Sequence, residues 1–160
     1  MKSKIAGLAF SVFPQRQVEQ VRRDEITLNQ EGLPQEGKVL ALAHLYRSYG
    51  LMAKAIETLE MFVKQGEATA AIYQLLGDCY RQVRLNLKAK DAYVKAVELI
   101  EEEDIESKAQ IQVALAQVYI ILKQKEQAIV LLRSAKVEYE NLGDLQEVKK
   151  LEQQLAELFS

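Results

Sequence analysis

From residue 38 to the C-terminus, apolar residues recur at three- and four-residue intervals, interrupted by short polar breaks. That is the period of helices burying one face, as at Leu42, Leu45 and Tyr46. The breaks divide the stretch into paired segments: 38–49 with 52–65, 69–83 with 86–102, and 106–123 with 125–141. Before residue 38 the pattern is poor. Val18 and Val21 lie three apart and suit one short helix, Ile26-Thr27-Leu28 reads locally as strand, and Asn29, Gly32, Pro34 and Gly37 are loop chemistry. The pattern predicts a non-repeat lead-in over 1–35 and a helical domain over 36–160.

Inside the helical domain, the same set of residues recurs at fixed offsets. The middle copy has Tyr73, Leu76-Gly77, Tyr80, Ala89 and Tyr93. The copy before it has Val39, Leu42-Ala43, Tyr46, Ala55 and Leu59, and the copy after it Gln112, Leu115-Ala116, Tyr119, Ala128 and Leu132. In each, the tyrosine precedes the alanine by nine residues. Small residues at these points let two helices approach, because interaxial distance follows the side chains at the contact. Tyr46, Tyr80 and Tyr119 are read as core, each with a polar tip that can bond.

This spacing resembles the tetratricopeptide repeat, a 34-residue helix–turn–helix unit. The resemblance implies an all-α fold, an α-solenoid of three repeats (about 36–69, 70–103 and 109–142) closed by a C-terminal capping helix over 144–159. Tyr46 to Tyr80 is 34 residues, whereas Tyr80 to Tyr119 is 39. The surplus lies around Glu101-Glu102-Glu103-Asp104, where a longer second helix or a longer turn would absorb it. Acidic residues oppose the dipole at a helix C-terminus, so some of the run belongs to the turn or the next helix start.

The last segment begins with a capping box, Asp144 and Glu147. Leu145, Val148, Leu151, Leu155 and Leu158 form one stripe, with Lys149, Lys150, Glu152, Gln153 and Glu157 elsewhere. The stripe either covers the open end of the stack or meets a partner or second copy. Covering is favoured, because a solenoid needs a cap.

Composition narrows the function. Of 160 residues, 49% are hydrophobic and 28% charged, which suits a folded helical domain. A formal charge of -2 gives no electrostatic case for nucleic acid. The single cysteine, Cys79, cannot form an internal disulfide; cytoplasmic residence is slightly favoured over export on that ground. Ile5 to Phe13 is apolar and follows Lys2 and Lys4. A membrane-spanning helix takes about 20 apolar residues, so this run is too short to cross as one. It is read as a terminus covering apolar surface, ahead of a targeting or membrane-contact segment. The abrupt onset of repeats after the lead-in would also suit a C-terminal accessory module of a larger secreted or membrane-attached protein.

No catalytic constellation or cofactor motif is visible, and none is expected. His44 is the only histidine, and the seven glycines form neither GxGxxG nor a P-loop. Cys79 sits where a small buried residue belongs.

The resemblance implies a protein or peptide ligand held in the groove lined by the first helices. Carried onto this sequence, the groove comprises Leu40, His44 and Arg47, then Gln74, Asp78, Arg81 and Gln82, then Val113, Gln117 and Ile120. Arg47 and Arg81 are equivalent, 34 residues apart. They would meet carbonyls or carboxylates of a ligand, or else lie in solvent or pair with Asp78. Family members that hold chaperone C-termini use lysines, asparagines and an arginine. The matching positions here are Leu40, His44, Leu75, Gln110 and Val113, so that clamp is not supported.

Overall fold

A computed structural model of the chain describes residues 14–160. The apolar run 5–13, and with it the membrane-contact reading, lies outside the described residues. Eight helices and no strand occur among those described: α1 (Gln15–Gln30), α2 (Gln35–Ser48), α3 (Met52–Lys64), α4 (Ala70–Gln82), α5 (Asn86–Leu99), α6 (Ile105–Ile121), α7 (Lys125–Leu142) and α8 (Leu145–Phe159). The fold class is the expected one, a helical-repeat fold.

The lead-in corrects the sequence reading. Where Ile26-Thr27-Leu28 reads as strand, the chain continues as the 16-residue helix α1. Local β preference amounts to a fraction of a kcal/mol per residue and yields to tertiary contacts. Those contacts are visible. Val21 is buried, the Tyr46 hydroxyl donates to Glu25 at 2.8 Å, and the Tyr49 hydroxyl donates to Asp24 at 2.8 Å.

One turn design recurs between first and second helices. Gly50 (φ 73°), Arg84 (φ 61°) and Lys123 (φ 58°) are all left-handed. The amide after each donates to the carbonyl of the signature tyrosine: Leu51 to Tyr46 at 2.8 Å, Leu85 to Tyr80 at 2.9 Å and Gln124 to Tyr119 at 2.8 Å. Gly50, Arg84 and Lys123 themselves donate to Arg47, Arg81 and Ile120, each at 3.0 Å. This is the Schellman pattern, which satisfies otherwise orphaned helix-end carbonyls.

The surplus between second and third copies is absorbed by helix. Five residues separate α3 from α4, and five separate α5 from α6, so the turn does not lengthen. Instead α5 is one residue longer than α3, and Tyr119 lies four residues deeper into α6 than Tyr80 does into α4. The added turn of α6 starts at Asp104, whose carboxylate accepts the Ser107 amide at 3.2 Å. The last of the four acids is thus a helix cap, stabilised by the dipole end that disfavours acids at the previous helix's close.

The chain divides into two compact units, the first ending at Phe62 and the second running from Val63 to Ser160. In the first, α1 packs against α2, and Val21, Ala43, Tyr46, Ala55, Leu59 and Phe62 are buried. Lys54 on α3 ties the unit together. Its ammonium lies 2.8 Å from Glu25 and 4.7 Å from the Tyr46 ring centre.

In the second unit α4 packs on α5, α5 and α7 each on α6, and α7 on α8. The small residues Ala89, Ala116 and Ala128 are fully buried at these crossings, as is Cys79. Val148 and Leu151 enter a cluster with Ala116, Leu132, Ala135 and Tyr139, and Leu155 and Leu158 pack onto its edge. The α8 stripe is therefore spent inside the unit, as capping requires. Leu145, 76% exposed, is the exception. Lys136 on α7 holds Glu152 on α8 at 3.0 Å.

Candidate functional site

In the first unit the expected groove residues lie along α2. Leu40 and Arg47 are half-buried and His44 is exposed. His44 lines a hollow of about 370 Å³ whose other walls are Ala41, Leu45 and Ser48 from α2 and Asp24, Thr27 and Leu28 from α1. The α2 surface that the repeat pattern leaves open is thus partly walled by a helix the pattern did not contain.

Outside that lining, Glu25 of α1 accepts from both Tyr46 and Lys54. Burial works to raise the Glu25 carboxyl, but hydrogen bonds from Lys54 and Tyr46, with the charges of Lys54 and Arg22, outweigh it and hold Glu25 below the usual carboxylate range. Burial and then the Glu25 bond push the Tyr46 phenol well above its ordinary value. The bond to Asp24 raises Tyr49 above its ordinary value.

In the second unit the expected residues behave differently from one another. Arg81 on α4 donates through its guanidinium to the side-chain oxygen of Gln117 on α6. Two groove positions from successive copies are therefore bonded directly, across the contact between the two first helices. Asp78 does not pair with Arg81; it accepts the hydroxyl of Tyr93 from α5, a bond internal to its own helix pair. Val113 packs against the α6–α7–α8 cluster. Gln82 and Ile120 are exposed at the C-terminal ends of α4 and α6.

At the opposite end of α4, Gln74 lines a hollow with Thr69, Ala70 and Ala71, facing Leu99, Ile100, Glu101, Asp104 and Ser107. The end of α5 and the added turn of α6 share this wall. Nothing in the tyrosine–alanine spacing locates it, because the helix register before Ile105 does not enter that spacing.

Among the described residues no three His, Cys, Asp or Glu side chains gather as metal ligands, and no helix is long and apolar enough to cross a membrane. At these positions the second unit shows one bonded pair, Arg81 with Gln117, and two exposed helix ends, Gln82 and Ile120.

Comparisons with known proteins agree with the fold. The family model for the tetratricopeptide repeat matches residues 70–103, which spans α4, α5 and the turn that follows. A crystal structure of MamA superposes with a TM-score of 0.60 at 22% identity, covering 86% of this chain and 85% of that one. The crystal structure of BtubC from P. vanneervenii gives a TM-score of 0.60 at 20% identity, covering 89% of this chain and 72% of that one. A further MamA structure, MSR-1 C2, gives 0.57 at 18% identity, covering 89% of this chain and 88% of that one. At such identities the likeness is one of fold. No curated protein matches the chain.

Proposed function

We propose that this tetratricopeptide-repeat protein is a non-enzymatic protein–protein interaction scaffold, and that the face shared by α4 and α6 receives a peptide segment of the partner. The observation that supports this reading is the Arg81–Gln117 bond. It holds a guanidinium in place on the first helices of two successive repeats. An arginine has five N–H donors, and one amide oxygen leaves others for a ligand. Backbone carbonyls or a carboxylate of an extended segment would accept them. Holding Arg81 in place before binding reduces the ordering cost on association, which is where small interfaces lose affinity. Gln74 at one end of the face and Gln82 and Ile120 at the other would supply amide bonds and one apolar contact.

Peptides selected by display on the whole chain test the assignment. Arg81→Glu should weaken the selected peptides about tenfold or more, equivalent to about 1.4 kcal/mol. Gln117→Ala should have a smaller effect in the same direction, because it frees Arg81 without removing it. Undiminished binding by Arg81→Glu would exclude this face.

A further inference from the structure

A second surface lies at the turns rather than on the groove helices. Arg84, Leu85, Asn86, Leu87 and Lys88 line a hollow of about 360 Å³, and Leu122 closes it from the end of α6. Leu87 is 64% exposed and Leu85 45%, with Val83 exposed beside them. Apolar side chains grouped around a concavity at a turn mark an interaction site more than scattered exposed leucines do.

The charge around it is mainly positive. Arg84 and Lys88 line the hollow, Lys123 and Lys125 follow Leu122, and the next acids along the chain are Asp91 and Glu126. The chain as a whole is at -2, so this is a local excess. Lys90 nearby is paired with Asp91 at 3.6 Å, and the Lys88 ammonium lies 5.4 Å from the Tyr80 ring centre.

Backbone conformation adds an independent observation. The equivalent turn position is Gly50 in the first copy, where φ is 73°. In the second and third copies the same left-handed position holds Arg84 and Lys123. An L side chain there is strained, and glycine removes the strain. Retained strain at a residue is a reason to ask what its side chain does. Here both strained residues are cations, and they belong to the two turns that meet at the hollow.

We propose that this basic, leucine-lined ledge between the α4–α5 turn and the end of α6 docks an acidic partner segment, one whose apolar side chain enters the hollow while flanking carboxylates meet Arg84 and Lys123. A concavity suits a single inserted side chain better than it suits a lipid surface, which favours apolar groups that project. The ledge is distinct from the α4–α6 face and would serve a second contact of the same scaffold.

The test uses the full chain and a short fluorescein-labelled peptide of leucines between glutamates, read by anisotropy. The Arg84→Gly/Lys123→Gly variant removes both cations while relieving both backbones, and its thermal midpoint, measured alongside, separates weakened binding from unfolding. It should bind about tenfold more weakly, as should Leu87→Ser, and raising salt should weaken the wild type. Val137→Ser, at an exposed residue of α7 outside both surfaces, should bind this peptide as wild type does. Wild-type affinity in the double glycine variant would overturn the proposal. So would sedimentation with phosphatidylserine vesicles in the absence of peptide binding, or loss of the peptide in Val137→Ser.

Discussion

Gly77 and Tyr93 occupy one another's space: a Cβ added to Gly77 would lie 2.8 Å from both Cδ1 and Cε1 of the Tyr93 ring. Tyr93 is fully buried, and its hydroxyl donates to Asp78, the residue after the glycine. The ring therefore has no room to retreat without breaking that bond. Gly77→Ala should destabilise the chain by about 1–3 kcal/mol, the usual range for overpacking, even though alanine is the better helix former. Urea unfolding measures it. Combining it with Tyr93→Leu, which removes the obstructing ring, should give less than the sum of the two single effects.

The three left-handed turn residues predict opposite signs for one kind of exchange. Gly50→Ala should cost about 1–2 kcal/mol, the strain of an L residue in that region. Arg84→Gly and Lys123→Gly should be neutral or stabilising by up to about 1 kcal/mol, since released strain is offset by glycine's greater freedom in the unfolded chain. Thermal midpoints of the three variants would decide it, and a large loss on Arg84→Gly would show that its side chain supports the fold.

Gln112 stands where the middle copy has Tyr73, and it is buried with its amide donating to Ser134 on α7 at 3.1 Å. Ser134→Ala leaves that donor without its acceptor and should cost about 1–2 kcal/mol. The double variant Gln112→Leu/Ser134→Ala replaces both polar partners and should recover most of the loss. Chemical denaturation of the four-member cycle gives the coupling.

The docking of α1 on α2 should be pH-sensitive at both ends of the scale. Glu25 is depressed in the folded state, so its stabilising contribution is present above the unfolded carboxylate value and is lost as pH falls through its lowered folded value. Tyr46 and Tyr49 are raised, so theirs is complete below the unfolded phenol value of about 10 and is lost as pH rises through their folded values. Amide exchange in α1 should accelerate in acid and in alkali. In Glu25→Gln the acid limb should flatten.

Much of this organisation is legible along the chain. Val21, Tyr46, Tyr80, Ala89, Ala128 and Leu151 are buried where the pattern places them, and Asp144 caps α8 by accepting the Glu147 amide at 3.1 Å. The groove is less legible. Asp78 and Val113 occupy positions that the repeat assigns to the groove, yet one answers a tyrosine on α5 and the other joins the core. A repeat offset specifies which face of a helix a residue occupies, but not which neighbour reaches that face first.

Periodicity and small-residue spacing by themselves determined that this protein is built of helix pairs, because a 3.6-residue period and close helix crossings are local requirements that every copy must meet. Tertiary structure alone decided what the polar and off-pattern residues do. Ile26 is helical because Asp24 and Glu25 find Tyr49 and Tyr46, and Arg81 is fixed because Gln117 lies within its reach. Such pairings depend on contacts between residues 21 to 36 positions apart, and no local rule contains them.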